Sequence, residues 1–177
     1  PLSHPAQILS DIFTIEEITN KKISKLKICW IGDANNVLNS LIEASIKFSF
    51  KLNIGCPREY MISKKIQNQF KKSNKYLKFF HNPKDAIKNT DVVLTDKVIS
   101  MNDKVNKIKK LKKFSNFKIT SKLMSLSKNA FLLHCLPRGN EVSDEVFYGT
   151  KSKVWQQALN RIHVQKSILL FCLGKLR

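Results

Sequence analysis

Short apolar runs, turn-forming clusters and stretches of helical spacing alternate along this chain. Pro5 to about Asn20 predicts a helix: proline suits the first helical position, and Ile8, Leu9, Ile12, Phe13 and Ile15 or Glu16 step along one face. Leu26–Ile31 is a β-branched apolar run that predicts a buried strand, broken by the turn-forming cluster Gly32-Asp33-Ala34-Asn35-Asn36. Val37 to about Phe48 returns to helical spacing through Leu38, Leu41 and Ala44. The alternation continues with a weak strand at Leu52–Cys56, a polar lysine-rich helix at Glu59–Lys75, a strand at Tyr76–Phe80 and a short helix around Pro83–Lys88. A fourth strand, Asp91–Leu94, runs into Thr95-Asp96, and Asp103–Lys118 predicts helix followed by loop. Ala130–His134 is the fifth strand, Ser143-Asp144-Glu145 caps a short helical turn, and Trp155 to about Leu176 reads as a long amphipathic helix. Five strands alternating with helices predict an α/β fold: a doubly wound, mostly parallel five-stranded sheet flanked by helices, with residues 1–177 forming a single domain.

Bulk properties narrow the function classes. At 177 residues, with 42% hydrophobic and 25% charged residues, the chain has the size and composition of one globular domain. Its apolar runs fall short of the ~18–20 residues of a membrane span, and the Pro1–Pro5 start lacks the cationic and apolar regions of a signal peptide. Four scattered cysteines and four histidines form no metal-ligand spacing, so no structural metal site is expected. Cysteines used this way suit a reducing compartment, the cytoplasm, or a mitochondrial or plastid matrix if a targeting segment has been removed. The net charge of +19 raises nucleic acid as a partner. The basic residues are nearly all lysines dispersed over the chain, without interleaved aromatics for base stacking. A solvated surface, favourable to small anions, is the simpler reading.

Chemistry gathers where strands end. The first ends at Asp33, Asn35 and Asn36, the fourth at Thr95-Asp96 followed by Ser100-Met101, and the fifth at His134-Cys135. In a parallel sheet these clusters share one edge, and ligands bind beyond the carboxyl ends of such strands. Amide, carboxylate and hydroxyl groups together suit a small zwitterion such as an amino acid. Each residue also has a plainer role: Asp33 and Asn35 as helix caps, Asp96 as a cap or lysine partner, Ser100 and Met101 as loop residues, Cys135 as core. No Gly-x-Gly-x-x-Gly or Gly-x-x-x-x-Gly-Lys-Ser/Thr loop is present, which argues against a nucleotide site.

Taken in order, His4-Pro5-Ala6-Gln7, Gly32–Asn36, Thr95-Asp96 with Ser100-Met101, His134-Cys135-Leu136-Pro137-Arg138 and Asn160-Arg161 resemble the carbamoyltransferases. The cysteine before Leu-Pro and the Asp-x-x-x-Ser-Met segment resemble the ornithine branch, the ornithine carbamoyltransferases. The resemblance covers nearly the whole chain and corresponds to the carboxyl-terminal, ornithine-binding half of the family enzyme. It implies transfer of a carbamoyl group from carbamoyl phosphate to the δ-amine of L-ornithine, giving L-citrulline and phosphate in arginine biosynthesis, with no metal or organic cofactor. His4, Gln7, Cys135, Leu136 and Arg161 would meet carbamoyl phosphate, and Asn36, Asp96, Ser100 and Met101 would hold ornithine. Cys135, as thiol or thiolate, would orient the amine and, with Asp96, accept its proton, making it the catalytic residue. The Ser-Thr-Arg-Thr phosphate turn of the family's amino-terminal domain is not found here. The isolated half is therefore expected to be inactive, its partners being that missing domain and, in the intact enzyme, a homotrimer. A non-catalytic amino-acid-binding or interaction domain is the alternative. The first and last helices are expected to expose an apolar face that meets the missing domain. The chain departs from the family pattern at Val98, Asn102 and Leu159, where tryptophan, glycine and glutamate are usual.

Overall fold

A computed structural model describes residues 3–63, 67–68, 75–99 and 106–175. Strands β1 (Lys27–Ile31), β2 (Lys51–Gly55), β3 (Leu77–Phe80), β4 (Val92–Thr95) and β5 (Phe131–His134) form one sheet in the order β3-β2-β1-β4-β5. All four neighbouring pairs are parallel, as the alternation of elements predicts. The chain winds outward from β1 to β3, then returns to lay β4 on the other side of β1. That reversal makes the carboxyl ends of β1 and β4 the switch point, where an open α/β sheet leaves a crevice for ligands.

The strands are mostly apolar because both faces of the sheet are covered. On one face Ile28, Trp30, Leu52, Ile54, Leu94 and Leu133 pack against α1 (Pro5–Thr19) and α2 (Asn36–Lys47). On the other, Cys29, Ile31, Val93 and Leu132 pack against α3 (Pro83–Ile87), the Phe114–Phe117 corner after α4 (Lys107–Phe114), α5 (Ser121–Met124) and α6 (Asp144–Phe147). Asn53 is a buried polar residue in the middle of β2, and its Nδ2 donates to the Ala86 carbonyl at 2.6 Å, fastening α3 to β2. At the end of β1, Gly32 lets β4 approach: a Cβ there would lie 3.2 Å from Thr95 Oγ1. The register sets Thr95 beside His134, so Asp96 and Cys135 leave the sheet as neighbours.

Two local expectations are corrected. No helix begins at Glu59: Arg58–Tyr60 is a single 3-10 turn, and Met61, at ψ 150°, is extended. Gln67 and Asn68 are helical, and most of the remaining Glu59–Lys75 stretch lies outside the described residues. The last helix, α7 (Val154–Cys172), is not amphipathic in the expected sense. Its buried positions are Val154, Gln157 and Asn160, while Trp155, Leu159, Ile162, Leu169 and Phe171 are exposed. Its apolar residues are spread around the helix, and the face that docks is mostly amide. The exposed apolar face expected on the first and last helices is there: Leu9, Phe13, Val164, Ile168 and Phe171 line an open groove of about 590 Å³ between them. Among the described residues no helix is long and apolar enough to cross a membrane.

Trp30 couples this core to the switch point. It is 0% exposed, and its indole N–H donates to the Asp33 carbonyl at 3.2 Å, shaping the turn after β1. Trp30→Ala is expected to cost about 3–5 kcal/mol of unfolding free energy through cavity formation. Urea denaturation checks this, and a loss under about 1 kcal/mol would mean that α2 collapses into the space.

Candidate active site

The turn after β1 sorts its polar residues by task. Asn35 is the N-cap of α2, its Oδ1 accepting from the Val37 and Leu38 N–H groups at 3.0 and 3.1 Å. Its Nδ2 donates to Asp96 Oδ2 at 2.7 Å, so the cap also ties β1 to the end of β4. Asp33 does not cap the helix. Its Oδ2 pairs with Lys110 Nζ at 2.6 Å, and that lysine of α4 is almost wholly buried. Asn36, the first residue of α2, is half-buried.

Asp96 is half-buried, and burial raises its carboxyl above the ordinary range, the Lys97 N–H, the His134 charge and Asn35 opposing the shift only in part. His134 is buried, and its Nε2 meets Glu141 Oε1 at 2.8 Å. The same oxygen accepts from the Gly139 N–H at 2.6 Å. Burial pushes Glu141 upward, but the His134 and Gly139 hydrogen bonds and the His134 charge outweigh it and hold the carboxyl below its usual value. Cys135 is also buried, its N–H donating to the Thr95 carbonyl at 3.3 Å. Burial, with the nearby Asp11 and Asp96 carboxylates, lifts its thiol well above the ordinary cysteine value, and Arg161 opposes this incompletely. Of the two expected forms, a dry setting and two nearby acids favour the thiol over the thiolate, since both disfavour a further anion. Leu136, the next residue, is exposed.

The third wall comes from α1 and α7. His4 precedes α1, half-buried, its N–H donating to Ser40 Oγ at 2.8 Å. Burial and the Arg161 charge lower its pKa, with Asp96 opposing, so at neutral pH it is a neutral imidazole. Gln7 Oε1 accepts from Arg161 Nη1, and Gln7 Nε2 donates to Asp11 Oδ1 at 2.8 Å. Gln157 Nε2 donates to the same Asp11 oxygen at 2.7 Å, and Gln157 Oε1 accepts the His134 backbone N–H at 2.9 Å. His4, Gln7, Asn36, Asp96, Cys135, Leu136 and Arg161 thus stand at one edge of the sheet. Ser100 and Met101 lie outside the described residues, as does Asn102. Val98 is core, and Leu159 points to solvent while Arg161 keeps its bond to Gln7, so neither departure dismantles the cluster.

Three participants escape a reading by motif: Glu141, Asp11 and Gln157. A buried histidine needs a partner, and Glu141 is the first acid downstream of His134, which is a usable signal. Asp11 sits four residues after Gln7, on the same helical face, but nothing local indicates that Gln157 meets it. Among the described residues no group of three or more His, Cys, Asp or Glu could hold a metal ion.

With this geometry in place, comparison with known proteins is specific. Residues 24–172 match the family profile of the aspartate/ornithine carbamoyltransferase Asp/Orn-binding domain. The chain is 41% identical over 181 residues to the ornithine carbamoyltransferase of Caldicellulosiruptor saccharolyticus, covering 98% of this chain and 58% of that protein. The enzyme of the same name from Methanococcus vannielii is 42% identical, covering 97% of this chain and 59% of that protein. Among solved structures, the anabolic ornithine carbamoyltransferase of Campylobacter jejuni superposes with a TM-score of 0.87 at 36% identity, over 98% of this chain and 60% of that one. The Pyrococcus furiosus ornithine carbamoyltransferase gives 0.87 at 33%, over 99% and 58%. The chain therefore spans somewhat under three fifths of these relatives. A five-stranded parallel sheet with a polar switch point, matched over nearly all its length, belongs to the aspartate/ornithine carbamoyltransferase family, as its Asp/Orn-binding domain.

Proposed function

We propose that residues 1–177 act as one domain that supplies the ornithine side of an ornithine carbamoyltransferase site. The observation that carries this reading is the meeting of Asn35, Asp96, the His134-Cys135 end of β5 and the Gln7–Arg161 pair at the switch point of a family member. Asn36 and Asp96, with Ser100 and Met101 of the loop beyond β4, hold L-ornithine. His4, Gln7, Arg161 and the Cys135-Leu136 segment face the carbamoyl group of carbamoyl phosphate. The neutral δ-amine attacks the carbamoyl carbon, forming the C–N bond. The C–O bond to phosphate then breaks, and phosphate leaves with the electron pair. Asp96 suits the proton leaving the amine, since burial has already raised its affinity for one. Cys135, as thiol, orients the nitrogen. Arg161 and the neutral His4 donate to the oxygen on which charge grows.

The cradle for the leaving phosphate belongs, on this reading, to the family's amino-terminal carbamoyl-phosphate domain. That domain covers the apolar groove of α1 and α7 and builds the homotrimer, and the assembled enzyme works in the cytoplasm or an organelle matrix.

Calorimetry with L-ornithine tests the assignment. Binding is expected, and Asp96→Asn is expected to weaken it at least tenfold, about 1.4 kcal/mol. Absence of heat, or an unchanged affinity in Asp96→Asn, overturns the reading. Carbamoyl phosphate and ornithine with the 177-residue chain alone are expected to yield no citrulline, and turnover would sink the placement of the phosphate cradle elsewhere.

Glu141 is expected to keep the His134 ring in place. Its folded pKa lies below the ordinary 4.5, so its stabilisation is present above that value and is lost as pH falls through the folded one. Glu141→Gln is accordingly expected to be about 1–2 kcal/mol less stable than the native chain at pH 7. The two stabilities should converge below pH 4.5, and urea titrations across that window provide the check.

A further inference from the structure

Asp11 is an ionisable group that the proposed reaction does not use, yet it is 0% exposed in the middle of the site's third wall. Its Oδ1 takes two hydrogen bonds, while Oδ2 is buried with no hydrogen-bond partner among the described residues. The two bonds have a direction that their far ends dictate. A guanidinium only donates, so Gln7 must present Oε1 to Arg161 and its NH₂ to Asp11. A backbone N–H only donates, so Gln157 must present Oε1 to His134 and its NH₂ to the same carboxylate oxygen. One chain of donors runs from Arg161 through Gln7, the other from the His134 N–H through Gln157. Both end on Asp11 Oδ1.

We infer that Asp11 is a positioning residue: as the shared acceptor of these two chains it fixes the Arg161 guanidinium and the carboxyl end of β5 relative to one another at the carbamoyl side of the site. The inference rests on the function proposed above for what those two groups serve. Removal of the acceptor leaves two buried amides with donors facing each other and no acceptor. Each amide can then turn, and Arg161 and β5 lose their common reference.

The charge of Asp11 bears on the same arrangement. Facing it are Arg161 from α7, Asp96 beyond β4 and the Cys135 thiol beyond β5. Burial lifts its pKa to about 6, while Gln157, Gln7 and Arg161 pull it down and Asp96 pushes it up. Above that value a carboxylate holds both amides. Below it the proton goes to the unpartnered Oδ2, and Oδ1 becomes the weaker acceptor of a neutral acid.

NMR of the uniformly ¹³C,¹⁵N-labelled 177-residue chain tests this. The side-chain NH₂ signals of Gln7 and Gln157 are expected to shift together with pH, sharing the Asp11 carboxyl midpoint near 6. Asp11→Asn retains an acceptor without a charge, so the two amide signals should stay dispersed and lose that titration. Asp11→Leu should return them, and Arg161 Nε, to the positions of unconstrained side chains. Persistence of the amide titration in Asp11→Asn overturns the proposal, as do native signal positions in a folded Asp11→Leu. Should Asp11→Leu not fold, the Asp11→Asn titration decides alone. A native chain that shows the shared titration yet gives no heat with L-ornithine overturns the substrate assignment and not the coupling.

Discussion

The seam between α1 and α7 is made by side-chain hydrogen bonds between residues as much as 154 positions apart, and the site depends on it. Gln157 reaches Asp11, and Asn160 reaches Thr14 Oγ1 at 3.1 Å and Glu17 Oε2 at 2.7 Å. An apolar seam of this size would tolerate sliding and repacking at small cost, because dispersion contacts have little direction. Buried amides and carboxylates have a geometry that must be satisfied almost completely. One turn of slippage would leave several donors unpaired at about 1–3 kcal/mol each. Polar docking therefore fixes the rotation of α7, and that rotation is what brings Arg161 to Gln7.

The sheet contributes the other constraint. Parallel strands in register deliver their last residues at one level, so Asp96 follows Thr95 and Cys135 follows His134 side by side without any contact designed between them. Gly32 allows that level to be close, and Asn35 spans it. The Asn35 side chain serves two structures at once, its oxygen capping α2 and its amide nitrogen holding Asp96. A helix start and the Asp96 carboxylate are thereby positioned by one group, and the cap and ligand readings of that turn are compatible.

Such dual use explains what was legible from residue order and what was not. The five strands were readable because a doubly covered parallel sheet demands short, mostly apolar runs, and Leu26–Ile31 and Ala130–His134 are of that kind. The polar strand ends were readable for the same reason, since each interrupts its run. The docking face of α7 was not: hydrophobic spacing points to Leu159, Ile162 and Leu169, which face solvent, whereas Gln157 and Asn160 look like surface residues until their partners on α1 are known. Asp33 illustrates the same limit. Its position before a helix suggests a cap, but a nearly buried lysine from a helix 77 positions later claims it. Cys135 could be read as a reactive cysteine from its setting in the sequence. Its burial, and then the acids gathered around it, are what push its thiol upward, and neither is written in the local sequence.

Charge distribution resolves an apparent conflict in the proposed function. Ornithine is a cation overall, and a protein with net charge +19 should repel it. Long-range repulsion between exposed charges is screened beyond roughly 8 Å at physiological ionic strength, and most of the lysines lie on the solvated surface. Asp96, Asp11 and Glu141 stand together at the switch point, partly or wholly out of water, where interactions are screened far less. The local acids outweigh the distant lysines for a ligand already in the crevice. The same surface excess favours the approach of an anionic co-substrate such as carbamoyl phosphate. On the proposed reading, a basic exterior and an acidic switch point thus suit two substrates of opposite charge, one drawn in by the general field and the other met by Asp96, with the buried Asp11 and Glu141 adding to the local negative potential.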